Sequence, residues 1–233
     1  MYVMGDIHGQ IDKMRAALMA AGLIDYTDRW TGEDTTLWFM GDYFDRGPDG
    51  IAAVDLIRTL QTEATAAGGR VGALLGNHDV LILAAQRFGE RPRDRAGWLR
   101  DLPAMVVDGG RLLAHADATF YQVYGRSVEG VNRHINAILH SGDAAAWDLL
   151  LDYFSQRRAF QDRDLGPARV GRVLARYGGR QLVHGHTPIA KLSGCRPEDV
   201  TCALVYAGGL AVDVDAGMYL GGRGFVTCLP EIN

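Results

Sequence analysis

The chain has 233 residues, 48% of them hydrophobic and 22% charged, an ordinary balance for a globular protein that needs no staples to bury a core. Its 24 Lys and Arg against 28 Asp and Glu leave a net charge of −4, which excludes a broad basic face for a nucleic-acid backbone. The three cysteines (Cys195, Cys202, Cys228) have no CxxC spacing, so neither a disulfide scaffold nor a thiolate zinc site is expected, and a reducing compartment fits them. There is no apolar run near twenty residues and MYVMGD lacks a basic-plus-apolar leader, so the expectation is a soluble, cytoplasmic protein with no membrane contact, folded as a single domain over residues 1–233.

Taken in chain order, one arrangement recurs five times: a short apolar run ends in a small residue and a group able to bind metal follows. Tyr2-Val3-Met4 leads into Gly5-Asp6-Ile7-His8, and Leu37 to Met40 leads into Gly41-Asp42. Val71 to Leu75 leads into Gly76-Asn77-His78-Asp79, Leu112-Leu113-Ala114 into His115, and Leu182-Val183 into His184-Gly185-His186. Such runs read as strands covered on both faces. Helix-like stretches at Met14 to Ala21 and Ile51 to Ala67 separate the first of them, so an α/β fold with a largely parallel sheet is expected in the first half. In such sheets the loops at the carboxyl ends of the strands converge on one crevice, which would gather the five tips.

From about 120 to 176 the spacing changes to that of helices (Val131, Ile135, Ile138, Leu139; then Trp147, Leu150, Leu151, Phe154), read as a helical cap or insertion. His134 and His140 stand alone there and read as surface or packing residues. From Val200 onward short apolar segments alternate with glycines, which predicts antiparallel strands joined by tight turns.

Asp6, His8, Asp42, Asn77, His115 and His186 form an oxygen and nitrogen ligand set without sulfur, suited to manganese, iron or zinc. Six ligands exceed what one tetrahedral ion with an open position takes, and two ions sharing a carboxylate would use them all. Paired ions ~3.5–4 Å apart stabilise the attacking and leaving oxygens of an in-line displacement at phosphorus. Any one of these tips alone is usually just a turn; five together are not explained as independent turns.

The blocks GDIHGQ (5–10), GDYFDRG (41–47), GNHD (76–79), HAD (115–117) and GHTP (185–188) resemble the signature blocks of the calcineurin-like metallophosphoesterases, in family order. The first two are similar to the phosphoprotein phosphatase branch, and Asp213-Val214-Asp215-Ala216-Gly217 is similar to its final block. The resemblance implies a sandwich of two mixed β-sheets flanked by helices, with the helical cap inserted. It implies two divalent ions, most often manganese, with iron or zinc as alternatives. Asp6 and His8 would bind the first, Asp42 would bridge, and Asn77, His115 and, as the branch places it, His186 would complete the second, with the side taken by His186 set by how its block folds. His184 has no fixed role. His78 would be the general acid, oriented by Asp45, and Arg46 would clamp phosphate while activated hydroxide attacks in line. A second phosphate-binding arginine is expected among Arg157, Arg158 and Arg163, with Arg158 preferred because an aromatic follows two positions later.

The substrate expected from this wording is a phosphorylated protein, at serine or threonine, or a small phosphate ester. Asp79, the Val80 to Ala85 segment and Gly221-Gly222-Arg223 are closer to the symmetrical dinucleoside tetraphosphatases, which gives the alternative reading. A non-catalytic module that only binds a phosphorylated partner is disfavoured, because every ligand and the His78–Asp45 pair are present. Oligomeric state is left open.

Overall fold

The computed structural model describes residues 1–87 and 93–232. Two sheets face one another. The first has the order β3 (Arg70–Ala73), β2 (Thr36–Phe39), β1 (Tyr2–Met4), β9 (Thr227–Cys228); the second has β4 (Met105–Asp108), β5 (Arg111–Ala114), β6 (Gln181–His184), β8 (Ala211–Asp213), β7 (Leu204–Tyr206). β1, β2 and β3 run parallel, in register Val3 to Trp38 to Gly72, and β5, β6 and β8 run parallel, in register Leu113 to Val183 to Val212. The edge strands β9, β4 and β7 are antiparallel to their neighbours.

The absence of polar alternation in the runs now has a physical cause. Val3, Trp38, Leu113, Val183 and Val212 point between the sheets into one apolar cluster. Their chain neighbours Met4, Leu37, Phe39, Leu112, Leu182 and Ala211 point outward, against the helices. Period-two geometry sends successive residues to opposite faces, and both faces are dry. α1 (Ile11–Ala20) and α2 (Gly50–Ala66) cover the first sheet, α2 beginning where the Asp49 side chain accepts from Ala52 N–H at 2.8 Å. α3 (Asn77–Arg87) and α4 (Arg93–Arg100) follow β3.

The helical segment begins with α5 (Tyr121–Tyr124) and continues through α6 (Val128–His140), α7 (Ala144–Phe154) and α8 (Gly166–Tyr177). Val131, Ile135, Ile138 and Leu139 are buried as their spacing predicts, with Trp147, Leu150 and Phe154. They belong to one contiguous cluster with Met105, Leu112 and Leu182 of β4, β5 and β6, so the segment packs on the second sheet rather than standing off as a separate lid. Asn132 ties α6 to the sheet: its Oδ1 accepts from Ala104 N–H at 2.9 Å and its Nδ2 donates to Met105 O at 2.8 Å.

Two expectations need correction. The five tips do not come from one parallel sheet, because β5 and β6 belong to the second sheet; the crevice lies where the carboxyl ends of both sheets meet. In the tail, β7 and β8 are antiparallel across the turn at Ala207–Gly209, but β9 crosses to the first sheet. β8 is already paired on both sides, so the last strand takes the open edge of β1. Among the described residues no helix is long and apolar enough to cross a membrane, and the three cysteines are free and exposed.

Candidate metal centre

Each strand tip delivers its side chain through a tight backbone. Among the described residues, six of the nine non-glycine residues with positive φ are expected site residues: His8, Asp42, Asp45, Arg46, Arg158 and His186. A left-handed backbone costs roughly 1–2 kcal/mol per residue, so the surroundings must hold it. They do: Ile7 and His8 N–H both donate to Asp42 O, at 3.2 and 2.8 Å, and His186 N–H donates to Asp6 Oδ1 at 3.0 Å. The buried Asp79 carboxylate accepts from the N–H groups of Asp42, Tyr43 and Gly76, at 2.9, 3.0 and 2.9 Å, and so clamps the tip of β2 to that of β3. Gly76 and Gly185 are required sterically. A Cβ at either would stand 2.3 Å from a ligand oxygen, Asp42 Oδ1 in the first case and Asp6 Oδ1 in the second.

Asp6, His8, Asp42, Asn77, His115 and His186 are all buried and brought together. His115 Nδ1 donates to Met40 O at 2.8 Å, which leaves Nε2 as a bare lone pair. That lone pair faces Asn77 Oδ1 at 3.1 Å, His186 Nδ1 at 3.1 Å and Asp42 Oδ1 at 3.5 Å. On the other side of Asp42, His8 Nδ1 donates to Phe44 O at 3.0 Å, and Nε2 faces Asp42 Oδ2 at 3.6 Å and Asp6 Oδ2 at 3.9 Å. Two acceptors turned on one another in a dry site are unfavourable unless a cation lies between them. Asp6 Oδ2 and His186 Nε2 are buried with no hydrogen-bond partner within 3.5 Å. The residues therefore fit divalent cations. Ligand-type atoms gather in two groups that share Asp42, one with His115 and His186, the other with His8 and His78. His186 thus stands with His115, on the second side.

The protonation of the imidazoles agrees with this role, and the buried carboxyls show the repulsion that bound cations would relieve. Burial lowers His8 to about 4 and His186 to about 2, so both imidazoles are neutral donors at neutral pH. Burial, with the charges of Asp215 and Asp42, pushes Asp6 well above the carboxylate range. Burial raises Asp215 to about 7. Asp42 is held below the ordinary value: burial opposes its charge, and His115, His8, His78 and His186 outweigh that.

At the mouth of the site, His78 Nδ1 donates to Asp45 Oδ2 at 2.8 Å, and Arg46 Nη2 donates to His78 Nε2 at 2.9 Å. His184, by contrast, is walled in, its Nε2 on Tyr206 Oη at 2.8 Å and its Nδ1 on Gly185 O at 2.9 Å. It braces β6 against β7 and presents nothing to the centre. His134 and His140 lie away from it, each bonded to a backbone carbonyl. Of the three candidate arginines, Arg157 is the one whose charge acts on His186. Arg158 is exposed beside it with φ +66°, and Arg163 lines a different hollow with Tyr206 and Gly208.

Two contributors escaped the sequence reading. Asp79 is the clamp just described; its place three residues after Gly76 was a usable signal, since an acid at the third position of a helix reaches back to the N–H of the residue before it. Tyr219 sits with its ring 4.8 Å from that of His8 and 4.1 Å below the Arg46 guanidinium, and Lys191 Nζ donates to its Oη at 3.4 Å. It lies in a single 3-10 helical turn, Met218–Leu220, too short for periodicity to mark an inward face.

The sequence model of the calcineurin-like phosphoesterases matches residues 1–190. Shewanella-like protein phosphatase 2 of Arabidopsis thaliana is 42% identical over 77 residues, which are 33% of this chain and 20% of that protein. The symmetrical bis(5'-nucleosyl)-tetraphosphatase of Pectobacterium carotovorum is 30% identical over 153 residues, 56% of this chain and 50% of that protein. The chain thus spans from a fifth to half of the length of these relatives. A cold-active protein-tyrosine phosphatase of a psychrophilic Shewanella shares the fold, with a TM-score of 0.79 at 20% identity over 97% of this chain and 73% of the other. The matched segment carries every strand tip described above, and on that match the chain belongs to the calcineurin-like phosphoesterase family.

Proposed function

We infer that the protein is a two-metal phosphatase. The observation that carries this reading is the pair of ligand groups sharing Asp42, set beside the His78–Asp45 pair. Asp6, His8 and Asp42 would hold one ion, and Asp42, Asn77, His115 and His186 the other, with manganese the first choice and iron or zinc accepted by the same donors. Bound there, the ions would supply positive charge for the phosphoryl oxygens and acidify water near neutral pH. His78 would protonate the leaving oxygen from Nε2, and Asp45 on Nδ1 would hold the ring in the orientation this needs. Arg46 now occupies Nε2, and phosphate oxygens, to which its planar fork is better matched, would draw it away and free the acid. Arg158, with Arg157 beside it, would close the phosphate from the α7–α8 side.

The substrate class we favour is a phosphorylated protein or small phosphate ester, acted on in the cytoplasm. Asp45 in the GDYFDRG block supports it. The similarity to a tetraphosphatase over half of this chain supports the second reading, a dinucleoside polyphosphate. Chelated protein resupplied with manganese should cleave p-nitrophenyl phosphate and phosphopeptides faster than diadenosine tetraphosphate. Preferential cleavage of the dinucleotide reverses the choice of substrate, and activity untouched by exhaustive chelation removes the metal mechanism.

A further inference from the structure

A groove of about 680 Å³ lies between α8 and the segment leading into α6, lined by Arg126, Arg169, Arg172 and Arg176 together with Val173 and Tyr177. None of the expected site residues lines it. On α8 the three arginines stand at i, i+3 and i+7, away from the stripe that buries Val170 and Leu174. Arg169 to Arg176 spans ~10.5 Å of helix axis at 1.5 Å per residue. Arg126 comes from the connection before α6 and adds a fourth guanidinium.

An ordinary solvated helix face mixes the signs of its charges. This one does not: the α8 sequence GPARVGRVLARY contains no acid. Among the described residues no carboxylate forms an ion pair with any of the four, whereas Arg15, Arg70, Arg95 and Arg196 elsewhere are each paired. The acids that approach are few. Asp162 feels the charge of Arg169, whose Nη1 donates to Ala159 O at 3.1 Å, and Glu129 shares a neighbouring hollow with Arg176. In a protein with a net charge of −4, this is a local excess of positive charge with no ion-paired carboxylate among the described residues.

We propose that this groove is a second anion site that takes a small molecule carrying at least two linked phosphates. The guanidinium fork matches phosphate oxygens, and every cation here is an arginine. A row of ~10.5 Å is longer than a single phosphate uses and suits a linked pair or triplet. The volume falls in the range of small-molecule pockets, ~300–1,000 Å³, and Val173 and Tyr177 give an apolar wall for an organic moiety. The net negative charge disfavours a nucleic-acid backbone as the occupant. No proposed metal ligand lines the groove, so the proposal holds whether or not the proposed reaction does.

The test is calorimetric titration of the full chain with chelator present, which keeps the metal centre from taking the probe. The probes are the β,γ-methylene analogue of ATP, methylenediphosphonate, inorganic phosphate and hexaglutamate. One equivalent of analogue or diphosphonate should bind per chain, at least tenfold more tightly than inorganic phosphate, and the tighter of the two identifies a nucleotide or a plain diphosphate as the source. Arg172→Gln/Arg176→Gln should weaken it at least tenfold, and each single variant about threefold; both residues are exposed, so the fold tolerates the change. Arg46→Ala should leave it unaltered. Binding unaffected by the groove variants, binding lost in Arg46→Ala, no binding at millimolar probe, or hexaglutamate bound as tightly as the diphosphates would each overturn the proposal.

Discussion

His115 shows how a hydrogen bond at one ring nitrogen fixes which nitrogen an imidazole offers as a ligand. Met40 O takes the Nδ1 proton, so Nε2 has only a lone pair to offer, and three further electron-rich atoms surround it. His78 also donates through Nδ1, but in other surroundings. Its Nδ1 proton is held by Asp45 at 2.8 Å and its Nε2 faces the mouth of the site, where a leaving group would arrive. His78→Asn should lower turnover by ~10²–10⁴-fold, the usual range for general acid–base help. Metal content should stay within error of the native protein; an equal loss of metal would make His78 a ligand, as its place in the group with His8 and Asp42 also permits. These side chains were legible in sequence because chemistry restricts residue type there. Tyr219 was not, since an aromatic in a glycine-flanked turn is equally at home in solvent, and only the fold places it under Arg46.

The elements explain why the tips meet. β1, β2 and β3 end at similar height because their parallel register is fixed residue by residue, and Asp79 then ties the two loops that follow β2 and β3. Asp79→Asn keeps the side-chain volume but turns an N–H toward the Tyr43 N–H that the carboxylate now satisfies. It should cost ~1–3 kcal/mol in chemical unfolding and weaken metal binding ~10–100-fold, as for other residues that support ligands. Native stability and native metal affinity in this variant would mean the clamp is idle. Strand and helix positions were readable from apolar runs and spacing, including the buried faces of α6 and α7. Sheet membership was not. An apolar run such as Leu112 to Ala114 looks alike in either sheet, and the partner of β9 depends on which edge is left open.

At the scale of the whole molecule, two sheets bring buried carboxylates and imidazoles together, and their charge must be offset. Asp215, raised to about 7 from an ordinary value near 4, contributes stability that is complete below about pH 4 and lost as pH rises through 7. Asp6 and Asp213 are shifted in the same direction by burial. His8 and His186 are depressed and act oppositely: their contribution is present above about pH 6.5 and lost as pH falls below it. Chelated protein should therefore be most stable near pH 6 and decline toward pH 8, where cations offset the carboxylates. The thermal midpoint gap between loaded and chelated protein should widen by roughly 5 °C from pH 6 to pH 8, and a gap independent of pH would show that these groups carry no such charge. The central claim is that Asp42 joins two ions in one site, and metal analysis of purified native protein and Asp42→Asn after dialysis against manganese tests it most directly. Two equivalents in the native chain and loss of both in the variant are the predicted result; one equivalent or none in the native chain, or a variant that keeps both, would contradict it.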